Sequence, residues 1–408
     1  MTTLAVAVFV LTYVGMALGR VPGLAIDRTG VALLGLIVLL ASGDLTLDEA
    51  GAAVDMPTIA LLFALMILSA QFEHSGFYCW VANRVVHAAK NPKTLLAVLI
   101  AVTGTLAAIF TNDVVVFALT PLVAAGLLSQ KLDARPYLIG LAGAANAGSA
   151  ATLIGNPQNI LIGQAGGLDF WSYLALALPP TLACLVITFL AILATWRLAP
   201  ADGTVANDMP KPEIDRFQMA KGLGAVVLLI GLFLTPLPRE LSALAVAGLL
   251  LMSRRLSSHT MIGAVDWQLL LLFACLFGVT AAFAKTGLSQ DGLAFLASHG
   301  LLPDRLSVLA PLTLAASNTI GNVPTVILII GLIPDLSDGV LTALALLSTF
   351  AGNLLLTGSL CNIIVAERAA KAGTPLGFAD FARSGIPMTL ASMAVTVAWL
   401  WAMGLVPL

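Results

Sequence analysis

The stretch Asn146-Ala147-Gly148-Ser149-Ala150-Ala151-Thr152-Leu153-Ile154-Gly155-Asn156-Pro157-Gln158-Asn159 lies inside an apolar run, Tyr137–Ala165, long enough to cross a bilayer. A helix in hydrocarbon keeps its backbone groups paired, and Gly and Pro in mid-run free them. Such breaks are tolerated only where protein or a polar cavity surrounds them, so this run reads as a broken helix facing a site. Three further clusters have the same character. They are Phe110-Thr111-Asn112-Asp113-Val114 closing on Thr120-Pro121, Ser317-Asn318-Thr319-Ile320-Gly321-Asn322-Val323-Pro324-Thr325, and Gly352-Asn353 followed by Thr357-Gly358-Ser359-Leu360-Cys361-Asn362.

Working outward, 59% of the 408 residues are hydrophobic and 10% are charged. A soluble domain carries about 25% charged residues. Crossing a core about 30 Å thick takes about 20 apolar residues, and runs of that kind recur along the chain. Ten crossings are expected: Thr2–Leu18, Thr29–Leu40, Pro57–Ala70, Tyr137–Ala165 and Tyr173–Trp196, then Gly222–Leu234, Leu241–Met252, Trp267–Ala284, Gly339–Ala366 and Ile386–Met403. The stretches Thr94–Leu128 and Ser307–Ile333 each suit two half-depth helices, that is, a re-entrant hairpin. With the N-terminus outside, only Arg239, Lys285 and Arg305 of the 19 Lys and Arg fall outside, which leaves 16 inside. The positive-inside rule therefore favours hairpins and places both termini outside, and the chain is expected in the inner membrane. The first run lacks a basic flank and a cleavage site, and reads as a mature span.

The halves repeat. Arg28 aligns with Arg239 and Ala53-Val54-Asp55 with Ala264-Val265-Asp266, both at an offset of 211 residues (55 to 266). Leu62-Phe63-Ala64 recurs as Leu272-Phe273-Ala274, Asn112 falls against Asn322, and Gly155 to Asn159 falls against Gly358 to Asn362. Five crossings per copy turn the second copy upside down. The fold class is all-α and polytopic: two inverted repeats, about ten transmembrane helices, two re-entrant hairpins and two broken helices. Residues 1–196 form the first repeat, 197–221 a cytoplasmic linker and 222–408 the second repeat. Inverted repeats with discontinuous helices imply a secondary transporter.

Asp113 is the one ionisable residue this layout places deep in a membrane stretch. A carboxylate there is costly unless paired or protonated, which suits a carrier of the coupling ion; bonding to freed hairpin amides is the structural alternative. Asn112, Asn159, Asn322 and Asn362 recur at paired helix breaks and are expected to line the substrate site, with hydroxyls from Thr152, Ser317, Thr319 and Ser359. Ser149 and Asn353 equally suit ties between helices. Cys79, Cys184, Cys275 and Cys361 form no CxxC pair, and no His has a partner at metal spacing. No metal or cofactor is expected. Residues 78–90 (YCWVANRVVHAAK) read as an interfacial amphipathic helix.

At these four clusters the chain resembles the ion transporter superfamily: bacterial arsenite efflux permeases, related sodium/proton antiporters and divalent-anion/sodium symporters. The symporters carry Ser-Asn-Thr at both hairpin tips. Here the first tip reads Thr111-Asn112-Asp113, which is similar to the arsenite-permease and antiporter branch, as are the short length and small central loop. No Arg or Lys lies in the four clusters. A fixed carboxylate repels a dianion but suits a neutral polyhydroxyl solute. The resemblance thus implies proton-coupled efflux of arsenite, and of antimonite, by alternating access. It permits a soluble ATPase partner. A sodium-coupled carboxylate transporter and a sodium/proton antiporter share the scaffold. An intramembrane hydrolase finds no HExxH or GxSxG here, and a channel does not need inverted broken repeats. Lipid and small solutes are the expected partners; nothing points to nucleic acid.

Overall fold

The computed structural model describes residues 2–18, 25–88, 91–198, 213–333 and 335–408. Most of the expected linker, 199–212, lies outside the described residues, as do Arg20 and Lys90. Twenty α-helices follow in order. The first ten are α1 (Thr2–Leu18), α2 (Arg28–Ser42), α3 (Leu47–Ala53), α4 (Met56–His74), α5 (Phe77–Ala88), α6 (Pro92–Ile109), α7 (Asn112–Ser129), α8 (Arg135–Ser149), α9 (Pro157–Ala165) and α10 (Phe170–Thr195). The second ten are α11 (Arg216–Leu232), α12 (Arg239–Leu251), α13 (Ser258–Gly263), α14 (Trp267–Ala284), α15 (Leu288–Ser298), α16 (Leu306–Thr319), α17 (Asn322–Leu332), α18 (Asp338–Ala351), α19 (Leu360–Lys371) and α20 (Phe378–Ala402). The two sets correspond helix by helix. Asp55 and Asp266 cap α4 and α14 with nearly the same backbone angles, φ −72°, ψ 87° and φ −77°, ψ 82°. Each accepts from the amide three residues on.

Six helices, α4, α6, α7, α10, α14 and α20, are long and apolar enough to cross a bilayer by length and composition. Two of these are the arms of the first hairpin. At 18 residues each, or about 27 Å, they exceed the half-depth expected from sequence. They still turn back inside the molecule. The tip bonds to the break of the next helix, Asn112 N to Gly155 O at 2.9 Å. Beyond that break α9 runs on for 9 residues, roughly 13 Å. The extra arm length lies at the open end of the hairpin, where α5 packs against α7. α5 is amphipathic as expected, but Tyr78, Val81, Ala82, Val85 and Val86 bury its apolar face in protein. α20 starts at Phe378, eight residues before the expected Ile386, and its first turn carries Asp380 in polar surroundings.

The helices form two packing groups. α1, α2 and α4 pack with α11, α12 and α14, most closely as α4 on α12 and α2 on α14. The hairpins, the broken helices, α10 and α20 form the second group, with α6 on α8, α7 on α19 and α10 on α20. α14 against α17 and α4 against α9 join the groups.

Polar contacts collect at two ends. At the linker end, Asp215 N donates to Ser75 O, Arg255 pairs with Asp215, and Arg135 pairs with Asp380. At the opposite end, Lys285 pairs with Glu49, Arg239 Nη2 donates to Gly163 O, and Leu306 N donates to Pro407 O. Every one of these joins segments that the sequence layout places on a common side.

Candidate functional site

The two breaks are built alike. After Ser149 the chain leaves the helix until Asn156, whose side chain accepts from Asn159 N at 2.8 Å and caps α9, with Pro157 in the first turn. Asn159 Nδ2 donates to Thr152 O at 3.0 Å, and to Tyr173 Oη at 3.1 Å, with Ser149 O at 3.5 Å. In the second half Asn362 Nδ2 donates to Gly352 O at 2.8 Å and Leu355 O at 3.1 Å. Each asparagine thus reaches carbonyls 10 and 7 residues back, the groups a broken helix leaves orphaned. These two amides spend their donors on the scaffold of the site.

Asn146 joins the halves. Its Oδ1 accepts from Asn112 Nδ2 at 3.0 Å and Ser359 Oγ at 3.1 Å; its Nδ2 donates to Asn353 Oδ1 at 2.8 Å and Asn362 Oδ1 at 3.0 Å. All are buried, and a buried polar network with its bonds made fixes one geometry. Asn353 Nδ2 also donates to Gly143 O. Asn353 is therefore a tie between helices, and Asn146 is the hub that sequence reading did not single out.

Beside this network lies a cavity of about 650 Å³, within the usual range for small-molecule sites. The first tip contributes Asn112 and Asp113, the second tip Ile320 to Pro324, and the second break Leu356, Thr357 and Ser359. The first turns of α7, α9, α17 and α19 all reach it, through Asn112, Gln158, Asn322 and Leu360. Four helix N-termini thereby aim positive dipole ends at one space. Of the expected site residues, Asn112, Asn322, Ser359 and Asp113 line the cavity. Thr152, Asn159, Ser317, Thr319 and Asn362 are not among its lining residues. Thr152 Oγ1 donates to Ala108 O, and the exposed Thr319 hydroxyl donates to Ala315 O. Ser317 is fully buried. Ser317 Oγ, Asn318 Oδ1, Asn322 Oδ1 and Thr111 Oγ1 are buried without a hydrogen-bond partner in the structure, and all four sit at the hairpin tips. Of the four, only Asn322 is among the residues lining the cavity.

The charges differ from the sequence expectation. Asp113 is not alone: Asp27, Asp266 and Glu367 line the same cavity, and so does Arg28. Each sits at or near a helix end, which placed it in a loop when the chain was read linearly. The short α2 and the cap of α14 bring them inward. Neither the Asp113 carboxylate nor the Arg28 guanidinium makes a hydrogen bond or ion pair with another described residue. Among the described residues no cluster of His, Cys, Asp and Glu could hold a metal ion.

A profile of the citrate transporter family matches residues 8–339. An uncharacterized transporter of Mycobacterium tuberculosis is 28% identical over 98% of both chains. The silicon efflux transporter LSI3 of Oryza sativa subsp. japonica is 28% identical over 92% of this chain and 93% of its own. The putative transporter arsB of Dictyostelium discoideum is 22% identical over 92% and 87%. Among solved structures, the Alcanivorax borkumensis YdaH transporter superposes with a TM-score of 0.56, covering 99% of this chain and 98% of its own at 17% identity. That likeness concerns the fold.

Proposed function

We propose a cargo and a coupling ion for a chain that belongs to the citrate transporter family and is therefore a multi-pass membrane transporter. The cargo is a small uncharged metalloid hydroxide, arsenite and with it antimonite, expelled across the inner membrane in exchange for protons. One observation carries this reading. The cavity presents the amides of Asn112, Gln158 and Asn322 and the hydroxyls of Thr29, Thr357 and Ser359 together with four carboxylates, Asp27, Asp113, Asp266 and Glu367, against the single guanidinium of Arg28. A net negative cavity repels a polyanion, whereas a neutral trihydroxide can both donate to and accept from such groups. Arsenite near neutral pH is that kind of solute, and so is silicic acid. The names of the rice and Dictyostelium relatives point in the same direction. Asp113 carries the coupling proton in this reading, because it lines the cavity and its carboxylate has no hydrogen bond or ion pair among the described residues.

Arg28 favours a second reading. With four helix N-termini around it, it gives the cavity a local positive field that could hold a carboxylate, as the family's name suggests. Everted membrane vesicles separate the two. With respiration acidifying the lumen, arsenite accumulates inside and a protonophore abolishes the accumulation; silicic acid competes. Saturable citrate or succinate uptake driven by sodium, with arsenite left outside, overturns the proposal. Vesicles washed free of peripheral proteins retain the activity if no ATPase subunit is needed.

A further inference from the structure

Arg28 and Arg239 open α2 and α12, corresponding helices of the two halves, yet their surroundings differ. Arg239 Nη2 donates to Gly163 O at 2.7 Å, near the end of α9, and beside it Gln164 Nε2 donates to Glu240 at 3.2 Å. Gly163 O also accepts from Leu168 N at 3.1 Å, and the guanidinium takes its second lone pair at the negative end of the helix dipole. Arg28 has no such bond. It lines the cavity, with Nη1 4.0 Å from the point where a Cβ on Gly321 would stand, at the second hairpin tip. Glu367 lines the same cavity and has no ion pair among the described residues.

The breaks fix the register between the halves. Asn159 and Asn362 hold equivalent carbonyls, and the same register carries Gly163 to Ala366 and Gln164 to Glu367. The counterpart of the carbonyl that Arg239 holds is therefore Ala366 O, in the second repeat, next to Glu367, which lines the cavity together with Arg28. The cavity lies on Arg28's side, and the helix end on Arg239's side is tied.

We infer that Arg28 and Arg239 are alternating latches, positioning residues that tie one packing group to the other at one end at a time. With the cavity open at the linker end, Arg239 holds Gly163 O. In the reverse state Arg28 donates to Ala366 O, while Arg239 is released toward Thr111, the counterpart of Gly321. The latches rest on alternating access by a transporter and on no particular cargo. Hydrogen bonds from a charged donor are strong enough for each latch to bias the two states about tenfold.

The test needs no substrate, so its failure and that of the metalloid reading are distinguishable. In protein with Cys79, Cys184, Cys275 and Cys361 replaced by Ala, two cysteine pairs are introduced separately, Gln164→Cys with Glu240→Cys and Thr29→Cys with Glu367→Cys. A short bifunctional maleimide is applied in native membranes. Both pairs cross-link. Arg239→Gln lowers the first and raises the second, moving their ratio about tenfold, and Arg28→Gln moves it the other way. Where a Gln variant does not assemble, the Lys variant carries the same test, since it keeps the charge but lacks the guanidinium fork. A Thr29/Glu367 pair that never reacts while the other does, or a ratio that either arginine leaves unchanged or that both move in one direction, overturns the latches.

Discussion

Asn159 and Asn362 were expected to line the substrate site and Asp113 to carry the coupling ion, and of the three only Asp113 lines the cavity. Asp113 lines the cavity, and an amide in its place keeps the shape while removing the proton. Asp113→Asn should bind cargo as before and lose coupled proton movement, followed with a pH-sensitive dye in vesicles of matched protein content; wild-type flux would reduce Asp113 to scaffold. For Asn159 and Asn362 the donors end on backbone carbonyls of the breaks. Asn362→Ala strips Gly352 O and Leu355 O of a donor, and buried orphans cost about 1–3 kcal/mol each. A loss of about 3 kcal/mol in stability is expected, with a similar loss for Asn159→Ala, measured by denaturation in detergent. An Asn362→Ala protein that melts like wild type but binds cargo weakly would return Asn362 to the site. The sequence showed that these positions are paired and lie at breaks, because Gly, Pro and Asn clustered in mid-run destabilise an unbroken membrane helix. It could not show where an amide's donors end, since that depends on loop geometry. Arg28 and Asp266 were missed for a different reason. A charge at a helix end looks the same whether the end meets water or a cavity.

At the scale of elements, the hairpins and broken helices were legible from run length, mid-run Gly and Pro, and the distribution of Lys and Arg, and the helix lengths were not. Apolarity marks where a helix meets lipid or core, not how far it projects beyond, so α4, α19 and α20 run past their expected limits. The contact of α6 with α8 was equally hidden. A Cβ on Gly148 would collide with the backbone of Gly104, so the two helices approach backbone to backbone. Small residues at such crossings are what membrane helices use to pack closely. Gly148→Ala should therefore force the first hairpin off the broken helix at a cost of about 1–3 kcal/mol, seen as a lower melting temperature and reduced yield. Gly224→Ala, on the exposed flank of α11 with nothing within 4 Å of the new methyl, is the control. It should melt no lower than wild type, because Ala is the better helix former by about 1 kcal/mol. Equal losses at both positions would mean that the crossing tolerates a methyl group.

The whole molecule raises the question of direction. Its contacts sort the segments between helices into two ends, with Asp215, Arg255, Arg135 and Asp380 at one and Glu49, Lys285, Arg239 and Gly163 at the other. They do not by themselves say which end faces the cytoplasm. The argument for that is the charge count: the sequence layout assigns 16 of the 19 Lys and Arg to the linker's side, and positively charged segments are retained on the cytoplasmic side. The cavity is lined by the ends of α1, α2 and α14 that belong to the linker end, so it then opens to the cytoplasm, the side from which an exporter collects its cargo. Single cysteines at Asp169, exposed before α10, and at Asp202 in the central segment test this. Position 169 should react with a membrane-impermeant maleimide in intact cells, and position 202 only after permeabilisation. The opposite pattern would turn the molecule over. The cavity would then face outward, and the same carboxylates and guanidinium would suit uptake better than efflux.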